Sequence, residues 1–144
     1  MNISIRNALL DDFESVYPLF KQLWPTKVIN RSALKAVYDR GVISQTDELL
    51  CVVLDEKVIG FCAYAIVNNL WQEGYISYIY AMVINENQRG KGYGSALINE
   101  CIQRSKEQGM KRIELDSGFP RKKAHEFYIK LGFEKRAYLF SYDL

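Results

Sequence analysis

One histidine, three cysteines and three prolines stand among 144 residues, and no apolar stretch is long enough to cross a membrane. A bilayer-spanning helix needs about 20 apolar residues in succession, and the opening MNISIRNALLDD lacks the charged, apolar and small-residue order of a signal peptide. Cys51, Cys62 and Cys101 are odd in number and show neither CxxC nor mixed Cys/His spacing. That pattern argues against a disulfide framework or a zinc site; the sequence predicts buried, reduced thiols, no metal, and a cytoplasmic location. Nineteen Lys and Arg against seventeen Asp and Glu leave a net charge of only +2, with both signs scattered. Nothing in that balance makes nucleic acid or an anionic membrane the default partner.

Also missing are repeats, low-complexity segments and any Pro/Gly/Ser-rich linker, so residues 1–144 are expected to form one domain. NISIRNA alternates as a strand, and Phe13, Val16, Tyr17, Phe20 and Trp24 then fall at helical spacing up to Pro25. Asn30 is expected to cap a second helix through RSALKAVYDR, ended by Gly41. ELLCVV and VIGFCAYAIV flank the turn LDEK as two antiparallel strands, and GYISYIYAMVI continues the sheet. A third helix carries Leu97, Ile98, Cys101 and Ile102 on one face and closes at Gly109. KRIELD reads as a strand. A fourth helix holds Ala124, Phe127, Tyr128 and Leu131 before Gly132, and AYLFSYDL finishes as a strand. Hairpins followed by alternation imply an α/β (α+β) fold: a mixed, mostly antiparallel sheet flanked by helices on both faces.

Glycine is sparse, nine in all, yet three fall on alternate positions in RGKGYG, Arg89 to Gly94, between a strand and a helix. The first amides of a helix have no internal partner and carry partial positive charge, so they attract anions. Glycine lets the backbone turn with positive φ and lets a phosphate reach N–H groups that a Cβ would shield. A surface turn would also use glycine, but two added cations, Arg89 and Lys91, favour a phosphate site. Lys91 is followed by Gly92 rather than Ser or Thr, and Gly90 is preceded five residues earlier by Asn85, so no P-loop is present. Ser95 stands at the third glycine of a dinucleotide fingerprint, and the unit begins too late for two nucleotide-binding halves.

Together with AHEFYIKLGF, Ala124 to Phe133, this loop resembles two signatures of the Gcn5-related N-acetyltransferase (GNAT) family, in the family's order. The resemblance covers nearly the whole chain, most weakly over residues 1–50. It implies acetyl-CoA as donor and a primary amine of a small molecule or peptide as acceptor, joined in a ternary complex without a covalent enzyme intermediate. It implies that the backbone of Arg89, Gly90, Lys91, Gly92, Tyr93, Gly94 and Ser95 surrounds the pyrophosphate. Met82, Val83 and Ile84 would run beside the pantetheine arm, with the Val83 amide polarising the thioester carbonyl. Ala124 and Phe127 would flank that arm, and Tyr128 occupies the position of the general acid. Arg121 stands where many members have asparagine and is expected to contact a coenzyme phosphate or the acceptor.

The base is left open. Some members carry a glutamate where Tyr80 stands, and Glu73, Asp116, His125 or a water chain are the alternatives. Trp24, Tyr38, Trp71, Tyr75, Tyr78 and Tyr80, with Asp39, Asp47 and Glu48, supply aromatic and acidic groups suited to an ammonium, although such residues also pack ordinary sheets. A different class, a coenzyme-binding module that senses acyl-CoA without turnover, would keep the loop and have no use for Tyr128. The alternation of Tyr138, Phe140 and Tyr142 suggests an edge strand that pairs a homodimer.

Overall fold

The computed structural model describes residues 2–144 and divides into two compact units, Met1–Glu114 and Leu115–Leu144. In the first, β1 (Ile3–Asn7) leads through a single 3-10 turn to α1 (Phe13–Leu23) and α2 (Arg31–Ile43). Then come β2 (Asp47–Leu54), β3 (Lys57–Asn69), β4 (Gly74–Ile84) and α3 (Tyr93–Glu107). The short β5 (Ile113–Leu115) completes the sheet order β1-β2-β3-β4-β5. The first four strands pair antiparallel. β5 joins differently: Lys111 N–H bonds to Tyr75 C=O and Ser77 N–H to Arg112 C=O, residue numbers rising together as in a parallel pair. The expected mixed sheet is present.

Side-chain period sorts the two faces. Leu49, Cys51, Phe61, Ala63, Ala81 and Val83 pack with Phe13, Val16, Leu19 and Phe20 of α1 and Tyr38 of α2. On the opposite face, Cys62 and Cys101 stand 3.5 Å apart as thiols, Ser77 and Ser105 share a 2.7 Å hydrogen bond, and the Tyr64 hydroxyl donates to Gln108 at 3.2 Å. These pairs lay α3 on that face, with Leu97, Ile98 and Cys101 fully buried. Cys51 lies on the first face, where burial pushes its thiol up to about 12.

Local expectations meet mixed outcomes. Asn30 caps α2 through the Ala33 N–H at 3.0 Å, and Asp55 and Glu56, both with positive φ, turn β2 into β3. Gly41 does not end α2, which runs on to Ile43. A Cβ at Gly41 would meet Leu49 at 3.0 Å, so this glycine permits close helix–sheet approach. In the second unit, α4 (Lys122–Lys130) ends at Gly132, φ 100°, with Phe133 N–H bonded to Tyr128 C=O. AYLFSYDL is not a strand: Tyr138, Phe140 and Tyr142 are largely exposed and in no ladder. Alternation describes a face, while a strand also requires a neighbour for its amides.

Candidate active site

β4 carries a register shift that sequence pattern does not announce. Ala63 opposes Ala81, but the next β3 residue, Tyr64, opposes Ile79, which leaves Tyr80 as the extra residue of a β-bulge. Ser77 and Ile79 face α3, and the extra residue lets Met82 and Ile84 resume that face while Ala81 and Val83 face α1. Tyr80 is thereby turned across the sheet, and its hydroxyl donates to Asp47 of β2 at 2.6 Å. Burial, followed by this hydrogen bond to Asp47, raises the phenol above its ordinary pKa.

The same register corrects the assignment of Val83. Asn85 N–H donates to Ile59 C=O at 2.7 Å, and antiparallel bonding alternates, so the Val83 amide is turned to β3 opposite Phe61. Its side chain is buried in the core. The main-chain groups turned away from β3 are those of Met82 and Ile84. Consistently, the Arg89 Nε donates to Ile84 C=O at 2.9 Å.

Past β4, Asn85 accepts from the Asn87 N–H and a second 3-10 turn, Glu86–Gln88, delivers the chain to the glycines. Gly90 and Gly92 have φ of 75° and 87°, and a Cβ on either would meet nothing within 4 Å. Their role is conformational, and it leaves the backbone uncovered. Gly92 is the N-cap of α3, no side chain caps the helix, and no acid lies in its first turn. The helix ladder opens with Ala96 N–H to Gly92 C=O at 3.1 Å, so the Gly94 and Ser95 amides precede it at the positive end of the dipole. The arrangement fits a bound phosphate. Arg89 serves the loop itself by tying it to β4, and Lys91 bonds to Gln88 at 3.0 Å. Tyr93 is buried, so only its backbone suits a ligand. At the other end of α1, Gln22 accepts from the Glu86 N–H at 2.9 Å and holds that helix to the loop.

Arg121, Ala124, Phe127 and Tyr128 belong to the second unit. Arg121 is the N-cap of α4, and Ala124, Phe127 and Tyr128 are half-buried on one stripe. Phe127 and Phe133 both set edges against the Tyr128 ring, at 5.3 and 5.7 Å. His125 Nε2 approaches the carbonyls of Gly118 and Ser117 at 2.9 and 3.3 Å. A carbonyl only accepts, so that nitrogen carries its proton and braces the turn before α4. Glu73 lies in the β3–β4 turn with φ 55°. At about 3.3 Å per residue it is roughly 30 Å along the strand from Met82, which removes it as a direct base there. Of the aromatic residues expected near the acceptor, Tyr38 is core, its hydroxyl donating to Leu9 C=O at 2.7 Å. Trp71 is exposed beneath the Arg112 guanidinium. Glu48 pairs with Arg104. Among the described residues no cluster of metal ligands occurs, and no helix is long and apolar enough to cross a membrane.

Strand, glycine turn and capless helix follow one another on a mixed α/β sheet, with open main-chain amides at the start of α3. The family model for the acetyltransferase (GNAT) family matches residues 6–133, and the chain belongs to that family. It is 29% identical over 143 residues to an uncharacterised N-acetyltransferase of Methanocaldococcus jannaschii, a match covering 92% of this chain and 61% of that relative's length. It is 22% identical over 137 residues to the aminoalkylphosphonate N-acetyltransferase of Salmonella typhimurium, covering 95% of this chain and 88% of the other. An aminoglycoside N-acetyltransferase solved in complex with CoA has the same fold, with a TM-score of 0.86 at 19% identity over 99% of this chain and 95% of that one.

Proposed function

We propose that the protein transfers an acetyl group from acetyl-CoA to a primary amine by direct attack, the whole 144-residue chain working as one cytoplasmic acetyltransferase domain. The observation that carries this reading is the uncapped start of α3 behind two glycines of positive φ. The amides from Arg89 to Ser95 receive the pyrophosphate, whose charge the helix dipole favours. Met82 and Ile84, with backbone turned from β3, take the role expected of Val83. Their amides run beside the pantetheine arm and donate to the oxyanion formed on attack, worth roughly 3 kcal/mol per pre-aimed donor. Ala124 and Phe127 line the arm, and Arg121 supplies positive charge to a coenzyme phosphate or the acceptor.

Collapse of the adduct expels a thiolate. Tyr128 protonates it; a tyrosine packs its ring between Phe127 and Phe133 and still offers a hydroxyl to a reacting atom. Small amines bearing an anion, as an aminoalkylphosphonate does, and aminoglycosides are the first acceptors to try, because relatives named for them share the family or the fold. A homodimer that covers the exposed Tyr138, Phe140 and Tyr142 belongs to the same reading, and sedimentation velocity tests it.

Release of free CoA thiol from acetyl-CoA, with and without each amine, tests the activity. Amine-dependent release is expected, and Tyr128→Phe should lower kcat by about a hundredfold with the KM for acetyl-CoA unchanged. Turnover by Tyr128→Phe equal to the parent across pH contradicts the acid role. Coenzyme binding without thiol release for any amine favours the sensing module.

A further inference from the structure

The bulge leaves one polar constellation unexplained by coenzyme binding. Asp47 receives three hydroxyl donors: Tyr80 on Oδ2 at 2.6 Å, and Ser44 and Thr46 on Oδ1 at 3.0 and 3.3 Å. Ser44 in turn accepts from the Thr46 N–H at 3.1 Å, so the turn between α2 and β2 is organised around this carboxylate. Asp47 opens β2 opposite Ala65, and Ala65 opposes Tyr78 of β4. Tyr80 therefore reaches over the small residues of β3 to a strand two positions away. The arrangement has a local condition as well. The Tyr80 hydroxyl lies 3.6 Å from where a Cβ on Gly41 would stand, so the glycine of α2 leaves room for it. Even so, Tyr80 keeps 40% of its surface exposed and Asp47 is half-buried. A purely structural phenol–carboxylate pair would gain more from being covered, since water weakens its hydrogen bond.

Position along β4 gives the pair a use. Tyr80 precedes Met82 by two residues, about 7 Å along the strand, whereas Glu73 is several times farther away. An attacking amine nitrogen turns positive as its bond to the acetyl carbon forms, and the N–H proton then becomes strongly acidic. A phenol cannot store that proton without releasing its own, and Asp47 already accepts the phenolic hydrogen.

We propose that Asp47, acting through the Tyr80 hydroxyl, takes the proton that the acceptor loses as its nitrogen bonds to the acetyl carbon. The inference rests on the acetyl-transfer reading above. The nitrogen lone pair forms the C–N bond and the carbonyl π pair moves to oxygen. One N–H proton passes to Tyr80 Oη while the phenolic proton passes to Asp47 Oδ2, leaving a neutral carboxylic acid and an adduct with a neutral nitrogen and its single negative charge on the former carbonyl oxygen. The adduct then collapses with loss of the CoA thiolate, and Asp47 returns its proton to water. Tyr80 is the catalytic residue of the pair, and Asp47 acts through it.

Asp47→Asn, Tyr80→Phe and the double variant test the relay in the thiol-release assay. The acceptors are aminoethylphosphonate and kanamycin, with water itself as the acceptor when neither exceeds it. Parent turnover and parent protection by acetyl-CoA judge the acetyl-transfer reading; the relay is judged on the ratio of variant to parent. Each single variant is expected to lose about a hundredfold in kcat/KM for the acceptor with the KM for acetyl-CoA unchanged. The double variant should fall no further than the worse single, because both remove one proton path. Asn keeps one acceptor oxygen, and the hydroxyl that loses its acceptor can rotate to accept from the amide NH2. Tyr80→Phe deletes one atom from a partly exposed ring, so either variant alone can decide the case if the other fails to fold. Formate added to Asp47→Ala should restore activity, a response that a structural carboxylate would not give. Single variants within about twofold of the parent, or losses that multiply in the double, overturn the relay.

Discussion

The two faces of the sheet are built from different materials. Under α1 and α2 the core is aromatic: Phe20 meets Phe61 edge-on at 5.2 Å and stacks on Trp24 at 5.4 Å, and Phe13 meets Tyr38 at 5.3 Å. Under α3 one buried ring, Tyr64, stands among aliphatic residues, and the face is closed by small polar pairs, Cys62 with Cys101 and Ser77 with Ser105. The α3 face fixes one helix so that its N-terminus holds the glycine turn in place. The aromatic face opens at its edge, where the bulge turns Tyr80 towards Asp47. On the function proposed above, one face holds the donor and the other handles the acceptor.

The comparison breaks most visibly at Phe61, which is 1% exposed at the centre of the ring cluster. Phe61→Ala should cost about 3–5 kcal/mol in urea unfolding, since the ring leaves a cavity its rigid neighbours cannot fill. A loss below about 1 kcal/mol would mean that the aromatic face repacks freely. The α3 face answers differently, through unpaired polar atoms. Ser105→Ala strands the buried Ser77 hydroxyl and should cost about 1–3 kcal/mol, while Ser77→Ala with Ser105→Ala should cost less than the two single losses combined. Additive losses in that cycle would show that the two hydroxyls are not partners.

How much of this was legible in the sequence depends on the range of the interaction. Local chemistry read well: the Asn30 cap, the glycine stops after α3 and α4, and the buried stripe of Leu97, Ile98 and Cys101 all follow from side chains within one or two turns. Gly41 misled because one residue type serves both helix termination and close packing, and only Leu49, on another element, distinguishes them. The tail AYLFSYDL misled because alternation does not specify a pairing strand. Within the site, the glycine turn was visible because its chemistry is contiguous. The direction of the Val83 amide was not, since bonding parity is set by the register with β3. The bulge at Tyr80 is likewise a property of two strands, and its partner Asp47 lies 33 residues earlier.

The central claim is that the start of α3 is a coenzyme phosphate site, and thermal unfolding with and without excess acetyl-CoA tests it most directly in the parent and Gly92→Asp. At a hundredfold excess over its dissociation constant the ligand should stabilise the parent by about 2.7 kcal/mol. The variant, with a carboxylate at the anion site and a side chain forced to a φ of 87°, should unfold earlier on its own and gain nothing from the coenzyme. A parent that acetyl-CoA does not protect, or a variant protected as well as the parent, would contradict the account.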